Sequence, residues 1–234
     1  MDIMSTEIKK INDETWMFDE GGVYFYLLCG EEKALLLDSG MNTQNIKEQI
    51  SAITNLPVEL MNTHADRDHI GGNHEFEWFY MDPAEASNLY NTQKGNGVIR
   101  PVYDGDILHL GGRDLQVIEL PGHTPGSIAV LDSKYRLLFS GDPIQDGRIF
   151  MFGVQREMHA YRLGLKRLDA YRECFDEVYQ CHGSVPVKPS LIDELYEASQ
   201  KVLEKTLPYT DTDLFGTTVR VYHAGCADFI TDLK

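Results

Sequence analysis

Eleven consecutive residues, Asn62-Thr63-His64-Ala65-Asp66-Arg67-Asp68-His69-Ile70-Gly71-Gly72, hold the densest chemistry in the chain. His64, Asp66, Asp68 and His69 can each bind a metal ion or move a proton, and Thr63 can do so more weakly. An apolar, strand-like run, Val58-Glu59-Leu60-Met61, leads into them, and a Gly-Gly pair follows. If the backbone stays extended, positions 64, 66 and 68 share one face. Neutral imidazoles and ionised carboxylates at this spacing suit a divalent cation better than an apolar core, where unpaired carboxylates would be costly. The plain alternative is a polar surface turn with chance histidines.

Three later positions repeat the pattern. Leu120-Pro121-Gly122-His123-Thr124-Pro125-Gly126-Ser127 sets a histidine in a turn stiffened by two prolines, which can present an imidazole at little entropic cost. Phe139-Ser140-Gly141-Asp142 places a carboxylate just past an apolar strand, and Val178-Tyr179-Gln180-Cys181-His182-Gly183 does the same with an imidazole. Each alone is equally a turn histidine, a helix cap or a satisfied strand-end histidine. Together with the first loop, coincidence is the weaker explanation.

The elements that must carry these residues are legible as alternating strands and helices. Short strands are expected at Glu7–Ile11, Thr15–Phe18, Val23–Cys29 and Lys33–Asp38, joined by turn chemistry that indicates antiparallel hairpins. Leu35 to Leu37 are apolar at consecutive positions, as in a strand buried on both faces. A helix is expected over Thr43–Ile53, strands over Val58–Asn62 and Glu77–Met81, and a helix opened by Asp82-Pro83. Asn91–Gly97 reads as a polar, glycine-rich loop. Hairpins follow over Asp106–Leu110 with Asp114–Leu120, and over Ser127–Leu131 with Tyr135–Phe139. Asp146–Gln155 reads as a loop rich in large apolar side chains, Glu157–Arg172 as a helix with Met158, Tyr161, Leu165 and Leu168 facing the core, Glu177–Cys181 as a strand, Pro189–Leu203 as a helix and Thr218–Tyr222 as a closing strand. Lys33–Gly40 echoes Tyr135–Asp142: an apolar strand running into small residues and an aspartate. The echo suggests a pseudo-duplicated, layered α/β protein with its site where strand ends meet.

The 234 residues suffice for one large domain or two small ones, and no stretch approaches the roughly 18 apolar residues of a membrane span. The formal net charge of −16 repels phosphate backbones and anionic lipids, which argues against nucleic acid and membrane surfaces as partners. Cys29, Cys174, Cys181 and Cys226 form no CxxC pair, a pattern that suits thiols in a reducing cytoplasm. The opening Met-Asp-Ile-Met-Ser-Thr-Glu lacks the basic-then-apolar character of an export signal, in line with a cytoplasmic protein.

Taken in order, these motifs resemble the metallo-β-lactamase-fold hydrolase superfamily: Asp38 after a strand, a His-x-His-x-Asp-His-like loop from His64 to His69, His123 in its Pro-Gly-His-Thr-Pro-Gly turn, Asp142 and His182. The resemblance covers roughly residues 7 to 190. It implies a mixed α/β (α+β) fold, a four-layer αβ/βα sandwich, with residues 1–234 as a single domain and a binuclear metal site along one edge. Carried over by position, one ion takes His64, the residue at 66 and His123; the other takes Asp68, His69 and His182; Asp142 bridges, and Asp38 orients a ligand from behind. Asp68 would also act in catalysis by orienting a metal-bound hydroxide. The implied activity is metal-dependent hydrolysis of an ester, thioester or lactone of a small molecule, similar to the glyoxalase II-like branch, which Asp104–Gly112 through Ser127 resembles. The residues after His182 hold one clear helix, too little for that branch's helical glutathione-binding arm, so the acyl substrate stays open. An exported β-lactamase is disfavoured by the missing signal, and a nuclease by the acidic charge.

One position departs from the family's pattern. Asp66 stands where the family has a histidine. Zinc is the first expectation for the two divalent ions, but a carboxylate is a harder ligand than imidazole and shifts the preference toward iron or manganese, which stand as the alternatives. The departure also keeps two rival readings: an iron-dependent oxidoreductase, since flavodiiron enzymes carry a glutamate there, and a binding domain with an impaired metal site. A homo-oligomer stays open. His74, His109, His159 and His223 fall outside the motifs as surface or hydrogen-bonded histidines, and Cys181 reads as a small apolar residue. Tyr103, Tyr161, Phe150 and Phe152 are candidates for a pocket wall, with packing as the leading reading of each.

Overall fold

The computed structural model describes residues 6–93 and 97–233. Residues 1–5, the start of the segment without export-signal character, lie outside it, as do Lys94-Gly95-Asn96 of the expected loop. The chain divides into two compact units, Met1–Ile118 and Glu119–Lys234.

The first unit runs β1 (Glu7–Asn12), β2 (Thr15–Asp19), β3 (Tyr24–Cys29), β4 (Ala34–Leu37), α1 (Ile46–Ser51), β5 (Val58–Met61), β6 (Trp78–Met81), α2 (Ala86–Gln93), β7 (Val98–Pro101), β8 (Ile107–His109) and β9 (Asp114–Glu119). Strands β1 to β7 form one sheet in chain order, antiparallel as far as β4 and parallel from β4 to β7. All four residues of β4 are buried, as the consecutive leucines require. Phe18, Phe25, Leu27, Leu36, Leu60 and Phe79 from the sheet pack with Ile46 and Ile50 of α1 and Leu89 of α2. Burying such side chains stabilises by about 1.5–3 kcal/mol each.

The hairpin of β8 and β9 is tied down by Arg113, which is almost fully buried. Its guanidinium donates to the Glu14 carbonyl (2.6 Å), the Cys29 carbonyl (3.0 Å) and the Thr15 hydroxyl (2.8 Å). Gly30 lets the Leu110 carbonyl approach to where a Cβ would stand, 2.2 Å away.

The second unit runs β10 (Ile128–Asp132), β11 (Leu137–Gly141), β12 (Arg148–Met151), α3 (Met158–Arg167), β13 (Glu177–Gln180), α4 (Ser190–Leu203), β14 (Tyr209–Leu214), β15 (Thr217–His223) and β16 (Asp228–Asp232). β10 and β11 form the expected hairpin, and β11 pairs in parallel with β13. A second sheet has the order β12-β16-β15-β14. Tyr161, Leu165 and Leu168 are buried as the helical stripe predicts, but the α-helix stops at Arg167 and continues to Cys174 as a 3₁₀ segment.

Other boundaries differ from expectation for identifiable reasons. α1 starts three residues late because Asn45 adopts a left-handed conformation (φ 55°); the amides of Ile46 and Lys47 are capped by the Glu75 carboxylate at 2.8 and 3.2 Å. Asn91 to Gln93 are the last turn of α2 rather than loop. The supposed loop Asp146–Gln155 contains β12: Ile149 and Met151 turn to one face, while Phe150 and Phe152 pack by Val219, Val221 and Ile230. β14 is an exposed edge strand whose Thr-Asp-Thr-Asp core hides it from hydrophobic periodicity. Among the described residues no helix is long and apolar enough to cross a membrane.

Candidate metal centre

In the first unit the parallel pairing of β4 with β5 brings two strand ends side by side, Leu37 opposite Met61. Asp38 therefore leaves β4 next to Asn62 and Thr63. Its backbone is left-handed (φ 63°), which turns the carboxylate back onto the loop. Asp38 Oδ1 accepts from the Thr63 amide (2.7 Å); Oδ2 accepts from the Thr63 hydroxyl (2.7 Å) and lies 2.9 Å from His69 Nδ1. His64 Nδ1 sits 3.0 Å from the same Thr63 hydroxyl. That hydroxyl has one proton and gives it to Asp38, so it accepts from His64 Nδ1–H. Both imidazoles are thereby held as Nδ1–H tautomers, with the Nε2 lone pair available as a ligand.

The loop itself is pinned from several sides. Asn62 Nδ2 donates to the His69 carbonyl (2.9 Å), and the Asn73 amide donates to Asn62 Oδ1 (2.7 Å). Glu20 holds the amides of Met41 and Asn42 at 2.7 and 3.2 Å, and the Gly71 amide reaches the Gly40 carbonyl at 2.7 Å. The extended run ends earlier than expected: the His69 amide donates to the Asp66 carbonyl (3.0 Å), making a turn. His64 and Asp66 face each other, Nε2 to Oδ2 at 3.6 Å, but Asp68 turns instead to His69, Nε2 to Oδ2 at 3.8 Å. The expected common face of 64, 66 and 68 is thus two pairs, with the His64 and His69 rings 3.9 Å apart.

The second unit brings its own candidate ligands together by the same device. β11 and β13 are parallel, Phe139 opposite Tyr179, and an irregularity at Ser140 delivers Asp142 and His182 from adjacent strand ends. Asp142 is buried; its Oδ1 lies 3.4 Å from His182 Nε2 and its Oδ2 3.5 Å from His123 Nε2. His123 Nδ1 stands 2.9 Å from the Phe150 carbonyl, which can only accept, so Nδ1 carries the proton here too. Thr124 and Ser127 close the turn with an Oγ–Oγ bond of 2.6 Å.

Tyr161 braces both ligand segments. Its hydroxyl donates to the Pro143 carbonyl (2.8 Å), and burial pushes its pKa well above the ordinary value. Its backbone packs where a Cβ on Gly122 (φ 129°) would stand, 2.2 Å from the Tyr161 nitrogen. Behind His182, Asp146 Oδ1 accepts from Gln180 Nε2 (2.7 Å) and the Ser184 amide (3.0 Å). Burial alone would raise the Asp146 carboxyl, but the hydrogen bonds from Ser184 and Gln180 prevail and hold it below its ordinary 3.8.

The donor geometry fits metal ions. Four nitrogen–oxygen separations fall between 3.4 and 3.8 Å, too long for strong hydrogen bonds. Two ligands each about 2.0–2.1 Å from one tetrahedral cation lie roughly 3.3–3.4 Å apart. A lone pair facing an ionised carboxylate at that separation is an arrangement that a cation between them makes favourable.

Residues outside the motifs behave as expected. His74 stands against the Gly71 carbonyl (3.0 Å), His109 against Asp114 (2.8 Å) and His223 against Asp228 (2.9 Å), and His159 is exposed. Tyr161 is packing rather than pocket wall, and Tyr103 is half exposed. Sequence reasoning missed Glu85, Asn88, Asp146 and Tyr161 as supports; none carries a local signal, because each acts across a tertiary contact.

The model of the metallo-beta-lactamase superfamily matches residues 18–202. Acyl-coenzyme A thioesterase MBLAC2 of Gallus gallus is 26% identical over 180 residues, covering 61% of this chain and 65% of the relative. Hydroxyacylglutathione hydrolase of Photorhabdus laumondii is 30% identical over 129 residues, covering 53% of this chain and 48% of the relative. The chain thus spans about half to 65% of the length of these curated relatives. Among solved structures, a metallo-beta-lactamase from Pontibacter korlensis superposes with a TM-score of 0.71 at 21% identity, covering 84% of this chain and 99% of that one. DIM-1 metallo-beta-lactamase superposes with 0.69 at 14% identity, covering 85% and 98%. These superpositions establish the mixed α/β fold expected from the motifs. With the family model spanning most of its length, the chain belongs to the metallo-β-lactamase superfamily.

Proposed function

We propose that His64, Asp66, Asp68, His69, His123, Asp142 and His182 together hold two divalent cations, and that the chain, working as one catalytic domain, hydrolyses a thioester or related ester of a small molecule. The observation that carries the reading is the tautomer-locked set of imidazoles, each turning Nε2 toward a carboxylate oxygen at 3.5–3.8 Å. The relatives support the substrate class, since they are a thioesterase and a hydroxyacylglutathione hydrolase by name. Zinc is the proposed metal, with iron and manganese as the alternatives that a carboxylate at position 66 admits.

Cations bound there would supply Lewis acidity, polarising the acyl carbonyl and making water a nucleophile at neutral pH. The residues do the rest. Asp38 keeps His69 and, through Thr63, His64 in the ligating tautomer. Asp68 offers one oxygen beside His69 Nε2; its other oxygen can orient the attacking water, take its proton and hand it to the departing sulfur or oxygen. Water adds to the acyl carbon, the carbon–sulfur bond breaks, and the products are a carboxylic acid and a thiol.

A cytoplasmic location is part of this reading, supported by four cysteines present as thiols, as is the absence of nucleic-acid and membrane partners, supported by the net charge of −16. The test is metal content by plasma mass spectrometry on protein purified without chelators, paired with turnover of acyl-coenzyme A, acyl-glutathione and lactone substrates. Two zinc ions and thioester turnover are expected. Iron with oxygen-dependent turnover would replace the hydrolase by the oxidoreductase reading, and a protein that binds no metal would leave a binding domain.

A further inference from the structure

Asp66, the residue that departs from the family's histidine, is held by a dedicated set of neighbours. Asn88, on α2, donates through Nδ2 to Asp66 Oδ1 at 3.0 Å. The same amide nitrogen lies 3.5 Å from Glu85 Oε2, and that oxygen accepts the Ala65 amide at 2.8 Å. Glu85 is fully buried although its carboxylate is ionisable, so its place is defined by these donors. One turn further along α2, the Thr92 hydroxyl reaches the Ala65 carbonyl at 3.4 Å and back-bonds to the Asn88 carbonyl. The backbone on the N-terminal side of Asp66 and the side chain of Asp66 are therefore both referenced to one short helix.

The two oxygens of Asp66 are made inequivalent by this arrangement. Oδ1 is occupied by the Asn88 amide, and Oδ2 is the one that faces His64 Nε2 at 3.6 Å. A carboxylate otherwise free to rotate or to bind through both oxygens is thus presented through one. We infer that Asn88 is a positioning residue: it selects Oδ2 of Asp66 as a single-oxygen metal ligand, so that an aspartate occupies the place of an imidazole without loosening the site. Asn88 touches no metal on this account and acts only through Asp66. An amide suits the task because it donates to an ionised carboxylate without adding charge; an aspartate at 88 would repel Asp66, and an apolar residue would leave Oδ1 without this donor.

The inference rests on the proposed ligand set, and the experiment separates the two. Full-length protein is stripped of metal and titrated with zinc against a chromophoric chelator, and with Co(II), whose visible bands report coordination. The variants are Asn88→Leu, Asn88→Ser, Asp66→Ala and Asp66→Ala/Asn88→Leu. Wild type binds two ions, and Asn88→Leu weakens one of them by about 10–100-fold, the usual cost of losing a partner behind a ligand. Asn88→Ser, whose hydroxyl can donate through water, falls between the two. In the Asp66→Ala background the Asn88→Leu change has no further effect on zinc affinity, because the residue it acts through is gone. Equal losses in both backgrounds would show a purely structural role for Asn88 and overturn the inference. Unchanged affinity and an unchanged Co(II) spectrum in Asn88→Leu would overturn it as well, while leaving the ligand set standing. A wild type that binds neither ion would remove the ligand set and the inference with it.

Discussion

Single side chains decide what the centre can do. In the proposed mechanism Asp68 combines a ligand oxygen with a proton-handling one, and on that reading Asp68→Asn should lower kcat by about 10²–10⁴-fold while far-ultraviolet circular dichroism stays that of wild type. A fully active Asp68→Asn would leave it a spectator. Asp146 acts further back. Its carboxyl is held below 3.8, so it stabilises the fold above that pH and the stabilisation is lost as pH falls through the depressed value. Asp146→Asn should therefore destabilise at pH 7, and the gap to wild type in urea melts should narrow progressively as pH falls below 3.8. A gap that does not narrow would mean that shape, not charge, matters at this position. The candidate ligands were legible in the sequence as a cluster because their residue types are uncommon together and their spacing is local. Their supports were not. Asn88 and Tyr161 are ordinary helix residues until the fold sets one beside Asp66 and the other beside Pro143.

At the level of elements, each compact unit uses the same construction. β4 with β5 and β11 with β13 are parallel pairs whose C-terminal ends release the segments that carry the proposed ligands, the usual location for binding sites in such sheets. The echo between Lys33–Gly40 and Tyr135–Asp142 carried this much in advance. What it did not carry was pairing direction, which depends on crossover connections rather than on any one strand's composition. β7, β12, β14 and β16 were missed for related reasons: β7 is four residues ending in proline, β12 sits among aromatics that read as loop, and β14 alternates threonine with aspartate. The β8–β9 hairpin is held by Arg113, so Arg113→Leu should cost about 1–3 kcal/mol in chemical denaturation by removing the guanidinium from the Cys29 carbonyl and the Thr15 hydroxyl, while the Glu14 carbonyl keeps the Cys29 amide as a donor. A loss below about 1 kcal/mol would mean that water replaces the guanidinium.

Over the whole molecule, metal binding and stability are linked. Ions held at about a thousand times their dissociation constant stabilise the native state by about 4 kcal/mol per site. For a chain of this size each kcal/mol shifts Tm by roughly 2–4 °C, so chelation should lower Tm by about 10 °C or more, and restored zinc should recover it. An unchanged Tm would place no ion in the folded protein. Under the proposed ligand set, three of the acidic groups behind the charge of −16, Asp66, Asp68 and Asp142, would face ions rather than solvent. Fold class was legible at this scale because five motifs in fixed order constrain the topology between them. The echo of Lys33–Gly40 in Tyr135–Asp142 hinted at two halves, but the boundary between the two compact units was not legible, because no linker or change of composition marks residue 118.

The left-handed backbone of Asp38 has an evolutionary corollary. Only glycine, asparagine and aspartate adopt that conformation readily. The aspartate codons are one base change from those of both of the others, so the substitutions that the backbone tolerates best are also the nearest in mutational distance. Neither supplies an ionised acceptor for Thr63 and His69. A gene copy released from selection would therefore drift at this position toward a chain that still folds but orients its imidazoles poorly, and a folded, metal-poor descendant is the form in which this architecture would first lose its chemistry.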